Sequence, residues 1–221
     1  MRHLIITADD YGYAPRYDEG ILEAARAGAV DAASAMVDRP GLDPEPLLES
    51  GVEVGLHLDL GVPCDAPRAG PGERSHAAAE LERQHDRFVE LFGRPPAYLD
   101  GHKHCHARQG LGVVVSDFAV VRGLPVRSID PRHRRLLRCR GVATPDLLIG
   151  RLQERAPALP EELDREGDAR AVADGDLVEW MVHPGRSDPG SGSSYDAGRE
   201  EDLGQNVQRL KNGCHLFYVF L

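Results

Sequence analysis

The chain has 221 residues, 41% of them hydrophobic and 28% charged, which is ordinary for a globular protein with one sizeable core. Its 26 Lys and Arg against 36 Asp and Glu leave a net charge of −10, which argues against general affinity for nucleic acid or anionic membranes. No apolar run approaches the roughly 20 residues of a membrane span. The opening "MRHLIITADD" reads as a first strand rather than a leader, because an acidic pair follows its short apolar run with no small-residue cleavage site. "HLIITA" (3–8) is apolar and β-branched, a buried strand. Residues 16–28 place Ile21, Leu22 and Ala25 at helical spacing after Pro15, with Gly28 as the stop. "AASAMV" (32–37) predicts a strand, "DPEPLLES" (43–50) a short helix and "VEVGLHLDL" (52–60) a third strand. Residues 61–75 are rich in Gly and Pro and predict a loop, before an amphipathic helix over 76–93. "RPPAYLDG" gives a turn and a short strand, 108–122 a helix, and "LPVRSID" (124–130) a strand. Helical pieces follow through 131–176. "DLVEWMV" (176–182) is a strand, 185–198 a flexible loop, and a last helix leads into "CHLFYVFL" as a closing strand.

Strand and helix alternate throughout, with no internal repeat and no long linker. The pattern predicts one α/β domain over 1–221, built as a distorted, incomplete TIM-like (β/α) barrel with mainly parallel strands. The four cysteines, Cys64, Cys105, Cys139 and Cys214, form no C-x-x-C pair, and a reduced, cytoplasmic protein is the economical reading.

Four predicted strands deliver Asp or His at or near their C-terminal ends. The first ends in Asp9-Asp10, and the strand at 52–60 carries His57. The next runs into "DGHKHCH" (Asp100, His102, His104, His106), and the last into His183. In parallel α/β folds those ends share one face, where ligands bind. Each piece alone has a plain reading. The aspartates could cap a helix, His57 could be a core histidine, the His tract could be solvated, and His183 before Pro184 could mark a turn. Together they would crowd polar groups onto one rim, and a shared metal is one way to satisfy them. An Asp with two His and open water positions suits Lewis-acid hydrolysis, with a second carboxylate as base. In an extended segment His102, His104 and His106 share a face, and spacing alone does not choose between His102 and His104.

"TADDYGYAPRYDEGILEAARAGAV", "VGLHLDL", "FGRPPAYLDGHKHCH" and "WMVHPG" resemble, in that order, the blocks of the YdjC-like carbohydrate deacetylases, the chitooligosaccharide deacetylase family. The resemblance spans residues 4 to about 185. It implies a metal-dependent hydrolase that removes N-acetyl groups from an acetylated amino sugar or oligosaccharide, giving acetate and a free amine. It further implies Asp10, His57 and His102 as metal ligands, Asp9 as general base and His183 as general acid. Asp100, His104 and Tyr11 would bind substrate or support the site. Apart from the resemblance, Tyr195 on the flexible loop 185–198 is a candidate to stack on a sugar face. The implied cofactor is one divalent ion, Mg or Zn first, then Mn, Co or Ni, and the implied assembly is a homodimer. Tyr11 stands where the family usually has Phe, and Lys103 replaces the middle histidine of a His-His-His run.

Two other readings use the same residues: a phosphoesterase or other amide hydrolase, which would favour two metals, and a non-catalytic sugar-binding relative. "RHRRLLRCR" (132–140) reads as a solvated face or as a receiver for an anionic substrate group.

Overall fold

The computed structural model describes residues 3–150 and 175–211, with side chains up to residue 204. Its elements in chain order are β1 (His3–Tyr11), α1 (Pro15–Arg26), β2 (Ala32–Ala35), α2 (Glu45–Glu49), β3 (Glu53–Leu58) and α3 (Pro71–Phe92). They continue with β4 (Leu99–Gly101), α4 (Gly112–Arg122), α5 (Pro131–Cys139), β5 (Leu147–Ile149), β6 (Leu177–Val182) and α6 (Gly198–Lys211). The strands form one six-stranded sheet in the order β4-β3-β2-β1-β6-β5, every pairing parallel. The sheet curls into the incomplete, distorted barrel expected of strand–helix alternation. No helix among the described residues is long and apolar enough to cross a membrane.

Helices pack on the outside of the sheet. Ile21, Ala24 and Ala25 of α1 and Leu81 and Phe88 of α3 join Leu4, Val54, Leu56 and Trp180 in the core. The inner face of β6 is different. Glu179 and Met181 share it by strand alternation, and His183 follows just beyond the strand.

Three expectations need correction. Helix α3 begins at Pro71, inside the predicted loop, because Gly70–Pro71 is a helix start: Gly70 donates its N–H to the Glu73 carboxylate at 2.8 Å. "LPVRSID" is not a strand. It makes one bridge, Leu99 to Val126. Its bonds to β4 are two, Leu99 N–H to the Pro125 carbonyl and Arg127 N–H to the Leu99 carbonyl, and Pro125 has no N–H with which to extend the pairing. Residues 185–198 are pinned rather than loose. Asp196 accepts from the Tyr17 hydroxyl, the Ser187 hydroxyl and the Asp188 N–H at 2.6–2.8 Å. The expected closing strand "CHLFYVFL" lies outside the described residues, as does 151–174.

The arginine-rich stretch is α5. It buries His133 and Leu137 and turns Arg132, Arg135 and Arg138 outward, so the solvated-face reading describes it. Arg138 pairs with Asp146, and Arg140 with Asp117. His133 is 6% exposed, with neither ring nitrogen hydrogen-bonded, and its ring lies 5.5 Å from that of buried His106. Burial pushes the His133 imidazole down to about 4, against a smaller upward pull from Asp130. A depressed histidine stabilises the fold above its unfolded pKa of 6.5, and that stability is lost as pH falls from 6.5 towards about 4. The loss from this one group is on the order of 1–3 kcal/mol. His133→Leu is expected to raise urea stability at pH 7 by about 1 kcal/mol and to flatten the acid limb of the stability curve. The helix cap survives the change, because Asp130 accepts from the backbone N–H of residue 133. An unchanged acid limb would show that the histidine is already satisfied.

Candidate metal centre

The site starts from an irregularity in β1. A strand sends successive side chains to opposite faces, so Asp9 and Asp10 should diverge. They do not, because Asp10 has φ +74°, and the β1–β2 register slips between Ala8 and Tyr11. The left-handed residue brings both carboxylates into one buried cluster.

Asp10 divides its two oxygens. Oδ1 lies 3.2 Å from His57 Nε2 and 2.9 Å from His102 Nδ1. Oδ2 accepts from Arg199 Nη2 at 2.5 Å. The donor atoms of Asp10, His57 and His102 all lie within 4.8 Å of one another, so these three side chains are brought together as one group. His57 turns its other nitrogen, Nδ1, to Asp100 Oδ1 at 2.7 Å. Asp100 is fixed in turn by Ser34 Oγ at 2.7 Å, with the Tyr98 hydroxyl 2.9 Å from Ser34. A carboxylate behind an imidazole is the usual support of a metal-binding histidine.

Asp9 belongs to a second, linked network that sequence reasoning missed. Arg127 donates to both its oxygens, at 2.6 and 2.8 Å, to Glu179 at 2.8 Å, and lies 2.8 Å from Asp100 Oδ2. All four side chains are buried. Burial pushes Asp9 up, but Arg127, His57 and His183 outweigh it and hold the carboxyl at about 2. Asp10 also falls well below its ordinary value, its hydrogen bonds to the two histidines and the Arg199 charge outweighing burial. His57 is the reverse case. Burial favours its neutral form, but Asp100 and Asp9 raise it well above 6.5, so without an ion it carries a proton. Burial lowers His183 to about 4 against the upward pull of Asp10 and Asp9. Its backbone N–H is held by Asp202 at 2.8 Å, and the Tyr195 ring stands edge-on to it at 5.3 Å.

Do these residues fit a divalent ion? With all four carboxylates ionised, Asp9, Asp10, Asp100 and Glu179 face only Arg127 and Arg199 in the bonded network. Neutral imidazoles would leave two negative charges, the charge of one divalent cation. One oxygen and two nitrogens with further positions open is a hydrolytic donor set. They fit. A second grouping, Asp9, His57 and Asp100, also has donors within 4.8 Å of one another. There, however, the Arg127 guanidinium is already paired with Asp9 and Asp100.

Tyr11 and His104 lie apart from this cluster, and Tyr195 stands beside His183. Tyr11 is a core residue whose hydroxyl donates to the Asp43 carbonyl at 2.7 Å. The His tract is not extended. It forms a 3-10 turn over His102–Ala107, with Lys103 and His104 at φ +49° and +54°. The turn sends His102 to Asp10, while the His104 ring lies 6.3 Å from that of His106. Tyr195 donates its hydroxyl to Asp202 at 3.2 Å, so it braces the segment carrying His183 and is not free on a mobile loop.

The chain is similar to known proteins over most of its length. The family model described as YdjC-like protein matches residues 3–211. The chitooligosaccharide deacetylase of Serratia marcescens is 32% identical over 206 residues, covering 82% of this chain and 81% of that protein. The carbohydrate deacetylase of Geobacillus stearothermophilus is 32% identical over 225 aligned positions, covering 91% and 88%. A crystal structure from Enterococcus faecalis V583, provisionally described as a cellobiose-phosphate cleavage protein, matches at a TM-score of 0.76. It is 25% identical, covering 96% of this chain and 93% of that one.

Proposed function

Because the chain belongs to the YdjC-like protein family, we propose that it is a metal-dependent hydrolase acting on an acetylated amino sugar or oligosaccharide. It would release acetate and a free amine. One observation carries this reading: Asp10, His57 and His102 converge beside a second carboxylate, Asp9, that is held by a different group. The relatives named as carbohydrate and chitooligosaccharide deacetylases support the choice of an acetylated sugar.

Held by Asp10, His57 and His102, a divalent ion would polarise the acetamide carbonyl and acidify a neighbouring water. Two imidazoles favour the zinc, cobalt and nickel class over magnesium. Asp100 orients His57 through Nδ1, leaving Nε2 for the ion. Asp9 enters turnover as a carboxylate, since Arg127 keeps it ionised down to about 2, and it takes a proton as water attacks. A proton on Asp9 is unfavourable against Arg127, so it moves on. His183 is close enough to feel both aspartates and rests neutral, at about 4. It therefore takes the proton that Asp9 removed from water and hands it to the amine nitrogen as the C–N bond breaks. Tyr195 and Asp202 keep its ring and backbone in place.

The test is acetate release from N-acetylglucosamine and its oligomers, after chelation and after adding back single divalent metals. Release is expected to vanish on chelation and to return with zinc or cobalt more fully than with magnesium. No release from any sugar with any metal would refute the proposed reaction.

A further inference from the structure

Arg199 is 1% exposed, and its guanidinium stacks on the Tyr17 ring at 3.6 Å. The fold makes a slot for it. A Cβ on Gly20 would lie 2.4 Å from Gly185 Cα, and a Cβ on Gly185 would lie 3.1 Å from Arg199 Cδ. Two glycines thus let α1 and the β6–α6 connection close on the arginine stem. Asp18 and Asp202 are near enough to feel the charge, yet the one side-chain hydrogen bond of Arg199 among the described residues goes to Asp10. Nε and Nη1 are buried without a partner. A buried arginine that leaves two donors unused in order to face one carboxylate oxygen is placed for that oxygen.

We propose that Arg199 is a positioning residue that holds Asp10 to a single ion-facing oxygen and so sets which cations the site prefers. The inference rests on the reading of this cluster as a metal centre. With Oδ2 taken by the guanidinium, only Oδ1 faces His57 and His102. The ion then meets one carboxylate oxygen and two imidazole nitrogens, a set that suits zinc and cobalt. Freeing Oδ2 adds an oxygen and takes away a neighbouring positive charge, which suits magnesium and manganese.

The experiment uses the full chain stripped of metal, with Arg199→Met, which keeps an apolar stack on Tyr17. Zinc and magnesium are titrated singly by calorimetry, and cobalt binding is followed by its visible spectrum. The preference for zinc over magnesium is expected to fall about tenfold or more, in the range of supporting-residue effects at metal sites. The cobalt bands are expected to weaken as coordination number rises. A folded Met variant with its preference within about threefold of the parent and an unchanged cobalt spectrum overturns the inference. If the Met variant does not fold, Arg199→Gln takes its place: it is polar but uncharged and too short to reach Oδ2 as the guanidinium does, and a parental preference in that variant also overturns it. Failure of the unaltered protein to bind either ion stoichiometrically would instead refute the metal reading beneath it.

Discussion

Asp9→Asn is expected to lower acetate release by about a thousandfold while leaving fold and metal content close to those of the parent, since a positioned base supplies about 10²–10⁴ in rate. The side chain keeps its shape and one oxygen for Arg127. Arg127 still has Asp100 and Glu179, so the cluster retains its core of paired charge. Asp10, His57 and His102 are untouched. Single-turnover acetate release, measured beside metal content, separates lost base from lost ion. Activity within about tenfold of the parent would take the base role away from Asp9.

Arg127→Met should have the largest effect on stability. It strips one guanidinium from three buried carboxylates at once, Asp9, Asp100 and Glu179. Breaking a buried ionic network from one side costs about 3–5 kcal/mol. The pH dependence identifies the cause. In the parent, Asp9 is depressed, so its contribution is present above its ordinary 3.8 and is lost as pH falls towards about 2. In the variant, burial without Arg127 raises the folded carboxyls, and stability rises as pH falls through their new values. Urea midpoints between pH 5 and 8 should therefore carry no slope from Asp9 in the parent and fall as pH rises in Arg127→Met. Parallel curves would show that Arg127 is replaceable by packing alone.

That Asp and His side chains from separate strands share one rim was legible in the sequence, because a parallel sheet puts its strand ends together, whereas the choice of His102 over His104 rested on the family resemblance. The two arginines were not legible. Arg127 lies in "LPVRSID", where alternation suggests an ordinary strand, and Arg199 in the acidic run "GREEDL", where it looks like a surface charge. A physical signal existed nonetheless. Four acidic groups directed inward demand buried cations, and an arginine between Val126 and Ser128 in an apolar run is a poor surface residue. The His tract misled for a local reason. Period-two reasoning holds only in extended backbone, and left-handed Lys103 and His104 break it. Tyr11 was assigned to the site through its place in the resembling block, and its side chain lies instead in the core, with its hydroxyl on the Asp43 carbonyl.

The irregularity in β1 also limits how mutational data on Asp10 can be read. Left-handed backbone is tolerated by Gly and by Asp or Asn, and resisted by other side chains. At φ +74° Asp10 serves as a backbone element as well as an ionic one. An alanine at this position removes the carboxylate and strains the main chain together, so the two losses arrive as one number. Asparagine removes the charge with the conformation intact, and glycine removes the side chain with the conformation relaxed. Only the pair resolves chemistry from geometry, and position 10 in β1 therefore calls for that pair in place of the routine alanine scan.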